Sequence, residues 1–295
     1  MIRTEAGAPR GILRLKGVED DRIQYSRRLP AAELRWCIEH YWLIDWDLTG
    51  QESAETLPHP SVHVVFEKDR SRVVGVIRGR FTRILEGTGR VFGIKFRPGA
   101  FYPFVGTPVA RFTDRVLDVV DVFGEAGTLL EANLLTEPDE QGRVDAADRF
   151  LRERVPAVDD TVALIARIVS RVIDDRDIRK VDDLVPLFGV SRRSLQRLFH
   201  QYVGITPKWM IQRYRLHDAL EHMASRTEID WAKLALDLGY CDQPHFIKDF
   251  RTVVGSTPGE YLRIQQTALS SAPGAFQRDS GGHHDARLPS TKRPF

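Results

Sequence analysis

Cysteine is nearly absent from this chain of 295 residues, which contains only Cys37 and Cys241. Two cysteines so far apart exclude a disulfide framework and fit a reducing cytoplasm, where we expect the protein to act. The sequence has no run of about 18 apolar residues, so export and membrane insertion are not expected. The formal net charge is only +2. Nucleic-acid binding therefore cannot be inferred from total charge and depends on where the arginines lie.

The chain is long enough for two domains, and an apolar fraction of 42% can give each a core. We predict the α+β class, with a small β-barrel or sandwich in residues 1–112. Short β-branched or aromatic runs predict strands at 40–46, 61–66, 72–77 and 90–96. In the last run the alternation predicts that Phe92, Ile94 and Phe96 face the core while Gly93, Lys95 and Arg97 face outward.

The rest of the chain divides into three further segments. Helical spacing predicts a connector at residues 113–172, with a loop at 136–142. Residues 173–265 are predicted to form an all-α double helix-turn-helix domain. Residues 266–295 are rich in Ser, Gly, Arg and Pro and have few large apolar side chains, so we predict a disordered tail.

A short phrase occurs twice in the third segment. Residues 199–207 (FHQYVGITP) recur as residues 250–258 (FRTVVGSTP). Each copy is preceded by a short helical pattern, a glycine turn and a second helix with basic residues. This duplication indicates two helix-turn-helix units and favours DNA binding.

In the first unit, Ser191 as N-cap places the start of the second helix at Arg192. The helical step sorts the side chains into an apolar stripe of Leu195, Leu198, Phe199 and Tyr202 and a polar stripe of Arg193, Gln196, Arg197 and His200. The donors of the polar stripe suit base edges and phosphates. An ordinary solvated helix face has the same pattern, so the stripe alone leaves both interpretations open.

In the second unit, Asp242 can be the N-cap, and Pro244 then lies in the first turn, where its missing N–H has no intrahelical partner. The predicted apolar face comprises Phe246, Ile247, Phe250, Val253 and Val254, and the predicted polar face comprises Pro244, His245, Lys248, Arg251 and Thr252. Thr206 and Thr257 are predicted N-caps before proline, with Glu260 completing a capping box after the second. A helix over 207–224 then joins the two units.

These elements, from Val181 to Arg263, resemble the DNA-binding domain of AraC/XylS-type transcription regulators. The resemblance rests on GVS at 189–191, LQRLF at 195–199, LGY at 238–240, FIKDFR at 246–251 and GSTPGEYLR at 255–263. It covers about a third of the chain. It implies that the second helix of each unit enters a major-groove segment on one face of the duplex, and that a linker helix joins the units.

Carried over by position, the resemblance places Arg193, Gln196 and Arg197 near bases, with Gln243, Pro244 and Lys248 at the corresponding places of the second unit. The full predicted set of DNA-contacting residues is Arg192, Arg193, Gln196, Arg197, His200, Gln243, Pro244, His245, Lys248 and Arg251. Pro186 departs from the pattern because it removes a hydrogen bond inside a first helix. Pro244 with Lys248 also departs from it and favours phosphate contact by the second unit.

The N-terminal half, around residues 57–66 and 93–101, resembles the β-rich regulatory domain of a subgroup of these regulators. That resemblance implies no particular ligand. His40, Trp42, Ile44 and Trp46 share one face of a predicted strand, and Trp42 and Trp46 are the candidate ligand-binding residues. A plain core stripe explains the same pattern.

The leading hypothesis is a sequence-specific transcription regulator that responds to a ligand or a partner. Its expected partners are double-stranded DNA, RNA polymerase and an unknown small-molecule effector, with no membrane, and it is a monomer or a homodimer. A purely architectural DNA binder is a second hypothesis, but it leaves the large β-rich half without a task.

Enzymes are a third class. An alkyl-DNA repair methyltransferase fused to the DNA-binding domain needs an activated cysteine, usually beside metal-binding cysteines, and the chain has no such cluster. A metal-dependent β-barrel enzyme could use His59, His63 and Glu67, although two strand repeats separate His63 from Glu67 and His59 lies beyond Pro60. No Gly-rich phosphate loop or nucleophile elbow occurs. We therefore predict no catalytic residues, no metal and no cofactor.

Overall fold

The structure, a computed structural model, describes residues 12–15, 22–224 and 229–270. Its strands form one antiparallel sheet in the order β1-β3-β6-β4-β5-β7, with β2 also paired to β3. The strands are β1 (Ile12–Leu15), β2 (Ile23–Arg28), β3 (Ile38–Thr56), β4 (His63–Glu67), β5 (Arg72–Val74), β6 (Phe81–Phe96) and β7 (Val116–Asp118). The α+β class is confirmed. The described strands make a single sheet around the long β3 and β6 pair.

Both faces of this sheet are apolar. Phe92, Ile94 and Phe96 lie in the main core, as the alternation predicts. Lys95, predicted to face outward, is only 5% exposed, and its Nζ donates to Glu39 Oε1 at 2.9 Å. That prediction was wrong because the opposite face carries a second apolar cluster, which comprises Ile23, Trp46, Leu48, Val65, Val74, Leu85 and Val91.

Helices cover the first face of the sheet. Helix α1 (Tyr102–Val105) precedes the connector, and the connector contributes α2 (Val119–Phe123), α3 (Glu125–Thr136), α4 (Glu140–Arg152) and α5 (Asp160–Asp174). Asp148 of α4 accepts a hydrogen bond from Tyr41 Oη at 2.6 Å and one from the backbone N–H of Ala31 at 3.2 Å. Leu134 and Leu151 belong to the same core as Phe92. The connector is therefore part of the N-terminal core.

The remaining helices are α6 (Val181–Phe188), α7 (Arg192–Leu198), α8 (Pro207–Ala224), α9 (Trp231–Asp237), α10 (Gln243–Val254) and α11 (Pro258–Ser270), with a π-helix at Phe199–Val203. Pro186 lies inside α6 without ending it. Helix α11 continues to Ser270, so the predicted tail is wrong for residues 266–270, and residues 271–295 lie outside the described part. No helix in the described ranges is long and apolar enough to cross a membrane.

Candidate nucleic-acid interface

The first helix-turn-helix unit consists of α6, a turn at Gly189 with φ of 62°, and α7. Ser191 Oγ accepts a hydrogen bond from the backbone N–H of Ser194 at 3.2 Å, which confirms the predicted N-cap. Leu195 and Phe199 are fully buried. The predicted polar stripe of Arg193, Gln196, Arg197 and His200 is exposed, and so is Arg192, whose guanidinium lies 3.5 Å from Asp182. The predicted division of this helix into two faces is confirmed.

The end of this helix differs from the sequence expectation. After Leu198 the chain widens into one π-helical turn, in which the N–H of Gly204 donates to the carbonyl of Phe199 at 2.8 Å. The widened turn packs Tyr202 against Tyr102, with ring centroids 4.3 Å apart. The sequence does not predict this π turn, because hydrophobic periodicity and the N-cap are the same whether a helix ends regularly or in a π turn.

The second unit consists of α9, a turn at Gly239 and α10. Asp242 Oδ1 accepts from the backbone N–H of His245 at 2.8 Å, as predicted for an N-cap. Phe246 and Phe250 are fully buried. The exposed residues of α10 include Pro244, His245, Lys248, Arg251 and Thr252, whereas Gln243 is half-buried. This division of faces also agrees with the prediction.

The two exposed faces carry positive charge unequally. The first presents the guanidinium groups of Arg192, Arg193 and Arg197, and the second presents Lys248 and Arg251. Guanidinium groups can bond bidentately to guanine O6 and N7, and either kind of cation can neutralise phosphate. The first face therefore carries more guanidinium groups than the second.

The linker helix α8 is anchored by buried arginines that the sequence pattern did not indicate. Arg215 donates to the backbone carbonyls of Val172 and Asp175 and pairs with Asp218 at 2.6 Å. The guanidinium of Arg213 lies 4.5 Å from the ring centroid of Trp209. Burial lowers the pKa of Arg213 to about 10, so it stays charged at neutral pH. The linker is therefore fixed to its surroundings by charged hydrogen-bond donors.

Two family models match the chain. Residues 184–264 match a family described as "Helix-turn-helix domain", and residues 26–118 match a family described as "Domain of unknown function (DUF6597)". A solved transcriptional regulator from Chromobacterium violaceum, described as containing an AraC-type DNA-binding domain, is 28% identical. The match covers 39% of this chain and 98% of that protein's chain, with a TM-score of 0.33. Residues 184–264 form a helix-turn-helix domain.

Curated relatives match this chain only over part of their length. Transcriptional activator NphR of Rhodococcus is 30% identical over 99 residues, which is 34% of this chain and 29% of that protein. The RCS-specific HTH-type transcriptional activator RclR of Escherichia coli is 35% identical over 89 residues, or 30% and 31% of the two chains. The chain thus spans about a third of the length of these relatives. ToxT from Vibrio cholerae is 10% identical over 82% of this chain and 97% of its own, with a TM-score of 0.37.

Outside the helix-turn-helix domain, Trp42 and Trp46 share one face of β3, as predicted. Trp42 Nε1 donates to His63 Nδ1 at 3.1 Å, and Trp46 Nε1 donates to the carbonyl of Glu86, also at 3.1 Å. Each indole lies against a glycine of β6: a Cβ at Gly93 would be 1.9 Å from Trp42, and one at Gly89 would be 2.1 Å from Trp46. Trp46 is only 7% exposed and belongs to the second apolar cluster, whereas Trp42 is half-buried.

A row of titratable side chains lies beside Trp42. His40, Lys95 and His63 are in register on the adjacent strands β3, β6 and β4. Burial lowers the pKa of His40 and that of His63 to about 3, and the charge of Lys95 acts in the same direction. Both imidazoles are therefore neutral at physiological pH, which agrees with His63 Nδ1 accepting the indole hydrogen bond.

The three residues considered for a metal site have different surroundings. His59 stacks on His217 with ring centroids 4.3 Å apart, His63 bonds to Trp42, and Glu67 pairs with Arg72 and Arg83. Within the described ranges, no group of three or more His, Cys, Asp or Glu side chains is arranged to hold a metal ion.

Near Trp46, a cavity of about 540 Å³ is lined by residues that include the charged side chains Arg22, Asp45, Lys68 and Arg90. Arg90 Nε donates to Asp45 Oδ1 at 3.1 Å, so at least one of these charges is neutralised within the protein.

Proposed function

We propose that this chain is a sequence-specific DNA-binding transcription regulator. The observation that supports this most strongly is the pair of N-capped helices α7 and α10, which bury their apolar stripes and expose basic ones within an AraC-type domain. In such units the second helix enters the major groove, and the two units of one protomer contact adjacent groove segments about 34 Å apart. One protomer therefore covers an asymmetric site.

The exposed residues divide by chemistry into two roles. Arg193, Gln196 and Arg197 contact base edges, because arginine bonds to guanine and glutamine to adenine in the major groove. Arg192 and His200, at the ends of the same face, contact phosphates. In the second unit Gln243 and Pro244 lie at the groove, and His245, Lys248 and Arg251 contact the backbone.

Random-site selection with the full chain tests this proposal. We expect enrichment of one asymmetric sequence, protection of two adjacent groove segments in footprinting, and binding that weakens steeply with salt. Arg197→Ala should weaken binding to that sequence, and the charge-matched control Arg70→Ala, at an exposed turn between β4 and β5, should not. Full-chain protein that is folded and enriches no sequence would disprove sequence-specific binding.

We further propose that the β-rich half is a regulatory module without catalytic chemistry. It responds to a small-molecule effector or a second protomer through apolar surface that includes Trp42 and Trp46, and the DNA-bound protein acts on RNA polymerase. The half-buried indole of Trp42 beside neutral His63 supports this, since it offers an apolar surface with few polar groups.

Native mass spectrometry of protein purified from its host tests the regulatory half. A bound small molecule or a dimer, lost in Trp42→Ala but retained in the exposed control Arg70→Ala, is the expected result. The alternative of a metal-dependent enzyme is tested by elemental analysis. Stoichiometric metal that disappears when His59 and His63 are changed to alanine would favour the enzyme.

A further inference from the structure

The N-terminal half contacts the ends of both recognition helices, α7 with its π turn and α10, at adjacent positions of the duplicated phrase. Val203-Gly204 of the first unit corresponds to Val254-Gly255 of the second. Thr113 Oγ1 donates to the carbonyl of Gly204 at 2.6 Å, and Arg80 Nη1 donates to the carbonyl of Val254 at 3.2 Å. Both donors therefore bond to carbonyls where a recognition helix ends.

The two helix ends also have the same backbone conformation. Gly204 has φ of 90° and Gly255 has φ of 91°, a region that only glycine adopts readily. A Cβ at Gly204 would lie 2.8 Å from Thr113 Oγ1, and a Cβ at Gly255 would lie 2.9 Å from Arg80 Nη1. Glycine is thus needed at each end for the turn, and a larger residue there would also displace the N-terminal side chain.

The donors come from two loops that are bonded to each other, residues 75–80 and 109–115, which we call the docking loops. The N–H of Asp114 donates to the carbonyl of Val76 at 3.0 Å. Arg78 donates to the Asp114 carboxylate through its backbone N–H at 2.7 Å and through Nε at 2.6 Å. The two docking loops therefore form one connected surface.

The linker helix bonds to the same surface. Arg213 of α8, which is 2% exposed, donates from Nη2 to the carbonyl of Arg78. Arg80 also pairs with Glu55 of β3 at 3.0 Å, which ties the second docking contact to the sheet. The first unit, the linker helix and the second unit are thus each bonded to one part of the N-terminal half.

These contacts have a direct consequence for DNA binding. The last carbonyls of a helix have no intrahelical donor, and a cation near them is favoured by the helix dipole. Bonds at both ends limit the tilt and the separation of the two recognition helices. A duplex with about 10.5 base pairs per turn presents its groove segments at a fixed separation, so a rigid pair of helices tolerates only one spacing.

We propose that Arg80 and Thr113 are positioning residues, through which the N-terminal half determines the spacing between the two DNA segments that the chain binds. This inference rests on the proposed DNA-binding function and extends it to a second property, spacing selectivity. Neither side chain belongs to the DNA-contacting faces, so the effect is transmitted through the helix ends.

The test compares full-length proteins on the selected site and on the same site with one base pair inserted between its two segments. We expect the wild type to bind the inserted site at least about tenfold more weakly, the change that a loss of one good contact produces. We call Arg80→Ala combined with Thr113→Val the docking-loop double variant. Its ratio of affinity for the selected site to affinity for the inserted site should fall to about threefold or less, because its binding to the selected site is weakened.

A matched control removes the same two functional groups elsewhere. Arg70→Ala combined with Thr136→Val removes an exposed guanidinium and a hydroxyl that bonds only locally, to the carbonyls of Ala132 and Asn133. This control should keep the wild-type ratio. A docking-loop double variant that also keeps the wild-type ratio would overturn the proposal.

Hydrogen exchange gives a measurement that does not require DNA. Amides at residues 199–204 and 250–255 should exchange faster in the docking-loop double variant than in the matched control, and equal rates would overturn the proposal. If the wild type selects no DNA sequence, the proposed function fails, but the exchange comparison still decides whether the docking loops hold the ends of the two recognition helices. If the double variant does not fold, Thr113→Val alone should accelerate exchange only at residues 199–204.

Discussion

The change Leu195→Ala tests whether packing and DNA contact are separated on the two faces of α7. Leu195 is 0% exposed and lies in the main core, whereas its neighbour Gln196 and the next residue, Arg197, are exposed. The substitution removes three carbon atoms, and their transfer alone amounts to about 2.4 kcal/mol at about 0.8 kcal/mol each. The cavity left in the core raises the expected loss to roughly 3–5 kcal/mol.

Urea unfolding followed by far-ultraviolet circular dichroism measures this loss. The midpoint should fall while the slope stays near the wild-type value, because the fold is weakened but not changed. Arg197→Ala is the matched variant on the opposite face. It should change stability by no more than about 0.5 kcal/mol. It should weaken binding to the selected site by about 1–3 kcal/mol, or roughly 5- to 150-fold.

Two results would refute this reasoning. An unchanged midpoint for Leu195→Ala would show that α7 does not pack through this side chain. Equal losses on selected and scrambled DNA for Arg197→Ala, with folding intact, would assign that guanidinium to phosphate contact. Gln196→Ala should follow Arg197→Ala in either case, because it lies on the same exposed face.

Three further predictions concern other parts of the chain. A fragment of residues 159–266 should fold and bind DNA in a mobility-shift assay, and a folded fragment without sequence preference would contradict it. Lys248→Ala and Arg251→Ala should each weaken binding about equally on selected and scrambled DNA, and each should lower the slope of log binding constant against log salt concentration by about 1. If neither variant changes binding, the second unit is structural. Unfolding free energy should fall between about pH 6.5 and pH 3, because unfolded His40 and His63 take up protons there that the folded side chains, with pKa values of about 3, do not. Urea midpoints across this range should shift less in His63→Gln.

Much of the helical half could be predicted from the sequence because its determinants are local. An N-cap bond spans three residues, so Ser191 and Asp242 located the starts of α7 and α10. An apolar stripe repeats within one helix, so Leu195 and Phe250 could be assigned to the core. The duplicated phrase added a second, independent example of the same pattern. These features determine the double unit and its exposed basic faces.

Only the tertiary structure decided how the N-terminal half is arranged and how it contacts these helices. Lys95 is buried beside Glu39 on a face that also carries an apolar cluster, and alternation along one strand does not indicate how exposed that face is. Thr113 reaches Gly204, and Arg80 reaches Val254 across 174 residues of chain. Contacts between residues so distant in sequence depend on the packed positions of whole elements, which local propensity does not encode.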